Sequence, residues 1–344
     1  MTSTRRALLA SIGAGTLAAG CLGAPGSNGN DRVSLLLNWT PNGLHTPYYA
    51  ARDQGFYETE GLTVSEIRGG DGSDFSARQA GLGNAEFAVT SSDQVLLTNG
   101  GGVDVSSIGV MMQRCPNVVF ATRESLGEPL EDPEQLAGTR IGTGPGMVRM
   151  LTELYLDAVG LRGDVELIDT GYNTVQRLLN GSIDAAGGVF GDAIDARYQG
   201  ASVDSLRVAS QVPAYGHLLA TSPSYAADNP ETVRAFLRAT ARGAAWATNN
   251  PEAGVDTVVS ANESLREVRE QTRATWERMA DGFVVGPSVE EHGWGWQRSD
   301  PWTTVAGALR DADAGEVAAP ESVWTNEYLD TGAAYVGDYA DEVS

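Results

Sequence analysis

Two stretches of this chain repeat one pattern, and that pattern limits the fold more than any other feature. "VSLLLNW" (Val33–Trp39), a loop, a helix and "EGLTVSEIR" (Glu60–Arg68) are matched by "TRIGTG" (Thr139–Gly144), a loop, a helix and "VGLRGDVELID" (Val159–Asp169). In each, an apolar strand feeds a helix that closes on a glycine, Gly61 or Gly160, before a second strand. The following units agree: "ARQAGLGNAEFAV" and "VQRLLNGSIDAAGG" both run from helix through a glycine turn into a short apolar strand. Strands alternating with helices make an α/β protein with a parallel or mixed sheet covered on both faces, and the repeat predicts two similar lobes.

The extended runs Pro116–Leu126 and Tyr215–Tyr225 flank the second unit and read as two crossover strands. Lobe 1 is then 32–122 plus 216–335, and lobe 2 is 123–215. Ligands of open α/β sheets bind outside the carboxyl ends of the strands, so the site belongs in the cleft between lobes. Helix starts facing that cleft offer free N–H groups for an anionic or polar atom. "TSSDQVLL" reads as a capping box of Ser91 and Gln94, with Ser92 beside it, although capping alone also explains the serine. "GTGPGMVRML" places Pro145 in a first turn behind Gly144 and Gly146, but its glycine spacing is not a nucleotide fingerprint.

Residues 1–20 read as an export signal: Arg5 and Arg6, then an apolar run too short to span a bilayer. The paired arginines resemble a twin-arginine signal, and Leu17–Cys21 resembles a lipoprotein cleavage box that leaves lipid on Cys21, with 21–31 a flexible tether. Cys115 is then the one cysteine of the mature body and reads as buried packing, so no internal disulfide is expected. The chain carries 45 acidic and 23 basic residues, a net charge of −22, and every basic residue is arginine. Such acidity excludes nucleic acid and anionic membrane as partners and fits a salt-adapted, halophilic protein that stays monomeric.

"NWTPNGLHTPYYAARDQGFYETEGLTV" (Asn38–Val64) resembles the N-terminal motif of the solute-binding proteins that capture pyrimidine precursors of thiamine for ABC importers. That group shares its fold with the fungal pyrimidine synthases of thiamine biosynthesis. The resemblance continues through "AEFAVTSSDQVLLTNGGGVDV", "EQLAGTRIGTG" and "VWTNEYL". It implies a type II periplasmic-binding-protein fold, two α/β lobes joined by two crossover strands, that closes by a hinge on a small-molecule solute and then engages a membrane ABC permease. Other relatives of this fold bind alkanesulfonates, nitrate or flavins.

A flat aminopyrimidine offers a π-face and an edge of donors and acceptors. Trp39 would stack on it, with Tyr48, Tyr49 or Tyr172 as a second plate; core packing is the competing role for each. Asn42 and His45 would either bond the ring or brace their loop. Phe190 and Asp192 stand where relatives present an aromatic segment with a carboxylate, and Asp192 could instead cap a helix. The synthases need a lysine for pyridoxal phosphate and a cysteine-rich iron segment. This chain has no lysine, so no cofactor, no metal and no enzymatic activity are expected. His217 and His292 show no ligand spacing with His45 and read as a hinge-strand and a surface histidine.

Overall fold

The computed structural model describes residues 31–343. The export signal, Cys21 and most of the tether lie outside those residues. Asp31, assigned above to the tether, is the first residue of a strand. Ten strands form two five-stranded sheets. In chain order they are β1 Asp31–Leu36, β2 Leu62–Arg68, β3 Phe87–Thr90, β4 Ser106–Val110, β5 Asn117–Thr122, β6 Arg140–Thr143, β7 Glu166–Asp169, β8 Ala185–Val189, β9 Val203–Arg207 and β10 Leu218–Thr221.

The repeat becomes one strand order used twice: β2-β1-β3-β10-β4 in the first sheet and β7-β6-β8-β5-β9 in the second. Gly61 and Gly160 both take the left-handed backbone, φ 78° and 75°, that ends the helix of each repeat and admits the next strand. The first repeat also breaks at Gly55, so its helix is split into Thr46–Asp53 and Phe56–Thr59. β1 and β6 are each parallel to both neighbours.

Only β10 and β5 run against the rest. β10 is antiparallel to β3 and β4, and β5 is antiparallel to β8 and β9. The two runs read as crossovers are therefore internal strands of the sheets, and the connections proper are the shorter segments 111–116 and 208–217. Because β5 and β10 are reversed, both connections join the carboxyl edge of one sheet to the carboxyl edge of the other. That topology alone brings the two ligand-binding edges to one joint.

At the joint the connections pair with each other. The amides of Met111 and Met112 donate to His217 O at 2.9 and 3.1 Å, and Gly216 N donates to Met112 O at 2.9 Å. A Cβ on Gly216 would lie 2.7 Å from Met112 Cβ, so only glycine lets the strands approach this closely.

Helices Pro230–Asn249, Pro251–Ala261 and Arg269–Met279 cover the helix Thr46–Asp53 side of the first lobe. The packed chain runs past the expected limit at 335: Val336 and Tyr339 are buried in the same core, and Trp294 N donates to Val336 O at 2.7 Å. Among the described residues no helix is long and apolar enough to cross a membrane.

Candidate functional site

The carboxyl edge of the first sheet is formed by the loop after β1, the turn after β3 and the start of β10. Register places Leu218 opposite both Thr90 and Val110, which sets His217 level with Ser91 and Met111. In the second sheet, Asn117 opposes Val189 and Val118 opposes Arg207. That edge therefore gathers Pro116 and Asn117, the Thr143–Gly146 loop, the Thr170–Tyr172 loop and the Val189–Asp192 turn.

Two large aromatics stay exposed on these edges. Trp39, after β1, is 51% exposed, and Tyr172, after β7, is 90% exposed. They belong to different lobes. Tyr48 and Tyr49 do not join them. Both are buried within the first-lobe core, because their helix lies beneath helices Pro230–Asn249 and Pro251–Ala261. Burial pushes both phenols up, Tyr48 strongly.

The loop spends its other polar groups on itself. Asn42 Oδ1 accepts from Leu44 N at 2.9 Å and caps the short 3-10 turn Gly43–His45, while its Nδ2 donates to Thr40 O at 3.0 Å. His45 is fully buried, and its Nδ1 accepts from Asn42 N at 3.2 Å. These bonds brace the loop.

That bond fixes the proton on His45 Nε2, which donates to Asn38 Oδ1 at 3.0 Å. The Asn38 amide then donates from Nδ2 to His217 Nε2 at 3.2 Å. The chain of bonds leaves the His217 proton on Nδ1, a buried donor with no protein partner. Burial, then the charge of His217, holds His45 well below its ordinary value; burial alone pushes His217 down to about 4. Both imidazoles are neutral at pH 7.

Other unpaired buried atoms repeat this placement: Ser92 Oγ in the first lobe, Asn117 Nδ2 and Thr143 Oγ1 in the second. Asn117 and Thr143 stand at strand ends on the carboxyl edge of the second sheet, and Ser92 begins the helix that follows β3 at the edge of the first. Ser91 sits at the expected helix start but makes no side-chain cap bond; its hydroxyl bonds to Asp93, which burial pushes upward against that bond. The second-lobe helix begins at Met147, two residues after Pro145, behind Gly144 and Gly146.

Phe190 is buried and stacks on Phe283, centroids 4.7 Å apart, so it backs the cleft instead of plating it. Asp192 Oδ2 accepts from Val189 N at 2.8 Å, the capping alternative. Burial pushes its carboxyl up to about 6. Cys115 is buried, as expected, with its thiol pushed up to about 12. His292 stacks on Trp296 at 4.6 Å, away from His45. No three of the described His, Cys, Asp or Glu residues group as metal ligands.

Asn38, Asn117 and Thr143 are not among the residues the sequence singles out, and His217 reads there only as a hinge-strand histidine. One signal was available: each is a polar residue next to an apolar strand, in "LLLN", "GHLLAT", "PNVVF" and "RIGTG".

The sequence matches the family described as NMT1/THI5 like over residues 42–254. The chain belongs to that family. It is 28% identical over 333 residues to the riboflavin-binding protein RibY of Chloroflexus aurantiacus, covering 92% of each chain. It is 25% identical to the formylaminopyrimidine-binding protein of Halalkalibacterium halodurans, over 70% of this chain and 76% of that one. It is 29% identical to a Legionella pneumophila protein named as a hydroxymethylpyrimidine phosphate synthase, over 68% of this chain and 75% of that one. The fold superposes on the Escherichia coli periplasmic aliphatic sulphonate-binding protein SsuA with TM-score 0.67 at 12% identity, covering 86% of this chain and 92% of that one. This NMT1/THI5-like chain therefore has the periplasmic-binding-protein fold of ABC-importer solute receptors.

Proposed function

We propose that the protein is an exported solute receptor of an ABC importer that holds a flat nitrogen heterocycle, first an aminopyrimidine precursor of thiamine, between its lobes. The observation carrying this reading is the placement of exposed Trp39 and Tyr172 on the carboxyl edges of different lobes. Stacking supplies affinity for any flat ring, and the unpaired groups of Ser92, His217, Asn117 and Thr143 supply edge contacts. His217 Nδ1–H requires an acceptor, which ring nitrogens and carbonyls both offer. Closure brings the plates together, and the closed form is the one the permease reads. Export and a lipid on Cys21 complete the reading, since a receptor must meet its solute outside the membrane. The chain contains no lysine, so it cannot form the Schiff base expected of the synthases.

A second reading is favoured by one observation: the relative matched over 92% of each chain is a riboflavin-binding protein. An isoalloxazine also fits between two plates.

Melting curves at fixed salt decide between them. A ligand at a thousandfold excess over Kd stabilises the folded state by about 4 kcal/mol. Hydroxymethylpyrimidine or its formylamino relative is expected to raise the melting temperature, while alkanesulfonates and nitrate leave it unchanged. Riboflavin alone producing the shift would transfer the assignment to flavin, and sulfonates alone doing so would refute both. Trp39→Ala and Tyr172→Ala should each weaken binding by roughly 1–3 kcal/mol with little change in the unliganded melting temperature.

A further inference from the structure

Phe283 lies outside the cleft machinery, in a single π-helical turn, Ala280–Val284, that is pinned to the first connection between lobes. Gln113 N donates to Phe283 O at 2.7 Å, and Arg114 Nη1 donates to Gly282 O and Val285 O at 2.9 Å each. Two guanidiniums converge on the ring: Arg207 Cζ is 5.7 Å and Arg278 Cζ 5.6 Å from its centroid. Arg207 ends β9 of the second sheet. Arg278 is on helix Arg269–Met279, which packs against the opening loop of the first lobe. Like charges from the two sides of the joint thus share one aromatic ring.

Among the described residues, neither the Arg207 nor the Arg278 guanidinium has an ion-pair or hydrogen-bond partner. The same helix shows how readily this chain supplies carboxylates. Arg269 meets Glu252, Asp256 and Glu270, and Arg273 meets Glu252, Glu270 and Glu277. Around Arg278 the balance is reversed. Burial and then the charges of Arg207 and Arg197 depress its guanidinium, with Asp281 the one opposing charge. Arg197 donates from Nε and Nη2 to Val203 O at 3.0 and 2.8 Å, and its charge adds to the repulsion. In a chain of net charge −22, this joint gathers three arginines around one acidic neighbour, Asp281.

We propose that Arg207 and Arg278, whose guanidiniums both lie over the buried Phe283 ring, form a site for a small oxyanion of the phosphate class. Guanidinium forks match the oxygens of such an ion, and Arg207 is exposed enough to admit it. An ion bridging the two replaces repulsion across the joint by attraction, and so ties the end of β9 to helix Arg269–Met279. The site is independent of the heterocycle in the cleft.

The test is a melting series in inorganic phosphate with no solute present, ionic strength and pH held constant with sodium chloride. The parent protein is expected to gain stability saturably, about 2–4 °C at tenfold excess over half-saturation. Arg207→Gln and Arg278→Gln should lose that response, and in phosphate-free buffer each should melt at or above the parent because repulsion is relieved. Arg278→Lys keeps the charge without the fork and should retain only a weakened response. Equal phosphate shifts in parent and glutamine variants, or a parent response that never saturates, would overturn the site. Exposed Arg207 carries the test by itself should Arg278→Gln not fold.

Discussion

His45 and His217 stack with ring centroids 5.7 Å apart and planes within 12°, and the atoms that couple them belong to Asn38. The asparagine uses its oxygen for one imidazole and its nitrogen for the other, so a single amide sets both tautomers. The expected consequence is a large cost for Asn38→Leu. Two buried ring nitrogens would lose their partners, at roughly 2–4 kcal/mol in total. Urea titration should show a lower midpoint with unchanged slope; a loss below about 0.5 kcal/mol would mean the bonds are not coupled to folding.

Burial lowers His217 to about 4 in the folded protein, against an ordinary value of roughly 6.5 in the unfolded chain. The folded state therefore favours the neutral ring. Its contribution is fully present above pH ~6.5, lost as pH falls toward ~4, and constant below, a total of roughly 3 kcal/mol. His217→Gln should be less stable than the parent at pH 7, and the gap should narrow by about 2 kcal/mol at pH ~4.5. A gap independent of pH would contradict a buried neutral imidazole.

Asp192 titrates with the opposite sign. Its carboxyl, raised to about 6 by burial, favours the protonated form in the folded state. Stability is lost as pH rises from the ordinary carboxylate value to about 6. Asp192→Asn keeps an acceptor for Val189 N and removes the charge. It should stabilise the protein by roughly 1–3 kcal/mol at pH ~7.5 and by nothing near pH ~3.5.

Gly216→Val should strain the joint, since its Cβ would stand 2.7 Å from Met112 Cβ and 3.1 Å from Arg114 O. Backbone on one side cannot yield like a side-chain tip, so the cost should be roughly 1–3 kcal/mol, visible in thermal melts.

Dialysis from molar salt to dilute buffer should lower the melting temperature. A net charge of −22 repels itself when unscreened. A melting temperature constant over that range would remove the reading of salt adaptation.

The sequence by itself determined the two-lobed α/β plan, because its signals are local. Glycine turns at Gly61 and Gly160 end helices within a few residues of the apolar runs they serve. The sequence offered Trp39 and Tyr172 alongside Tyr48 and Tyr49, and only the fold shows that the first two stay exposed. Which groups remain free for a ligand was decided only by tertiary structure. Asn38 and His217 lie 179 residues apart, and only the reversal of β10 beside β3 makes them neighbours. For Asn42 and Asp192 the sequence left a local backbone bond and a ligand contact both open, and the fold shows the backbone bond in each case. Tyr48 and Tyr49 looked like plates until helices from the far end of the chain covered them. Periodicity along a strand or helix reports which face is apolar, but a hydrogen bond is spent on whichever partner the fold brings within reach.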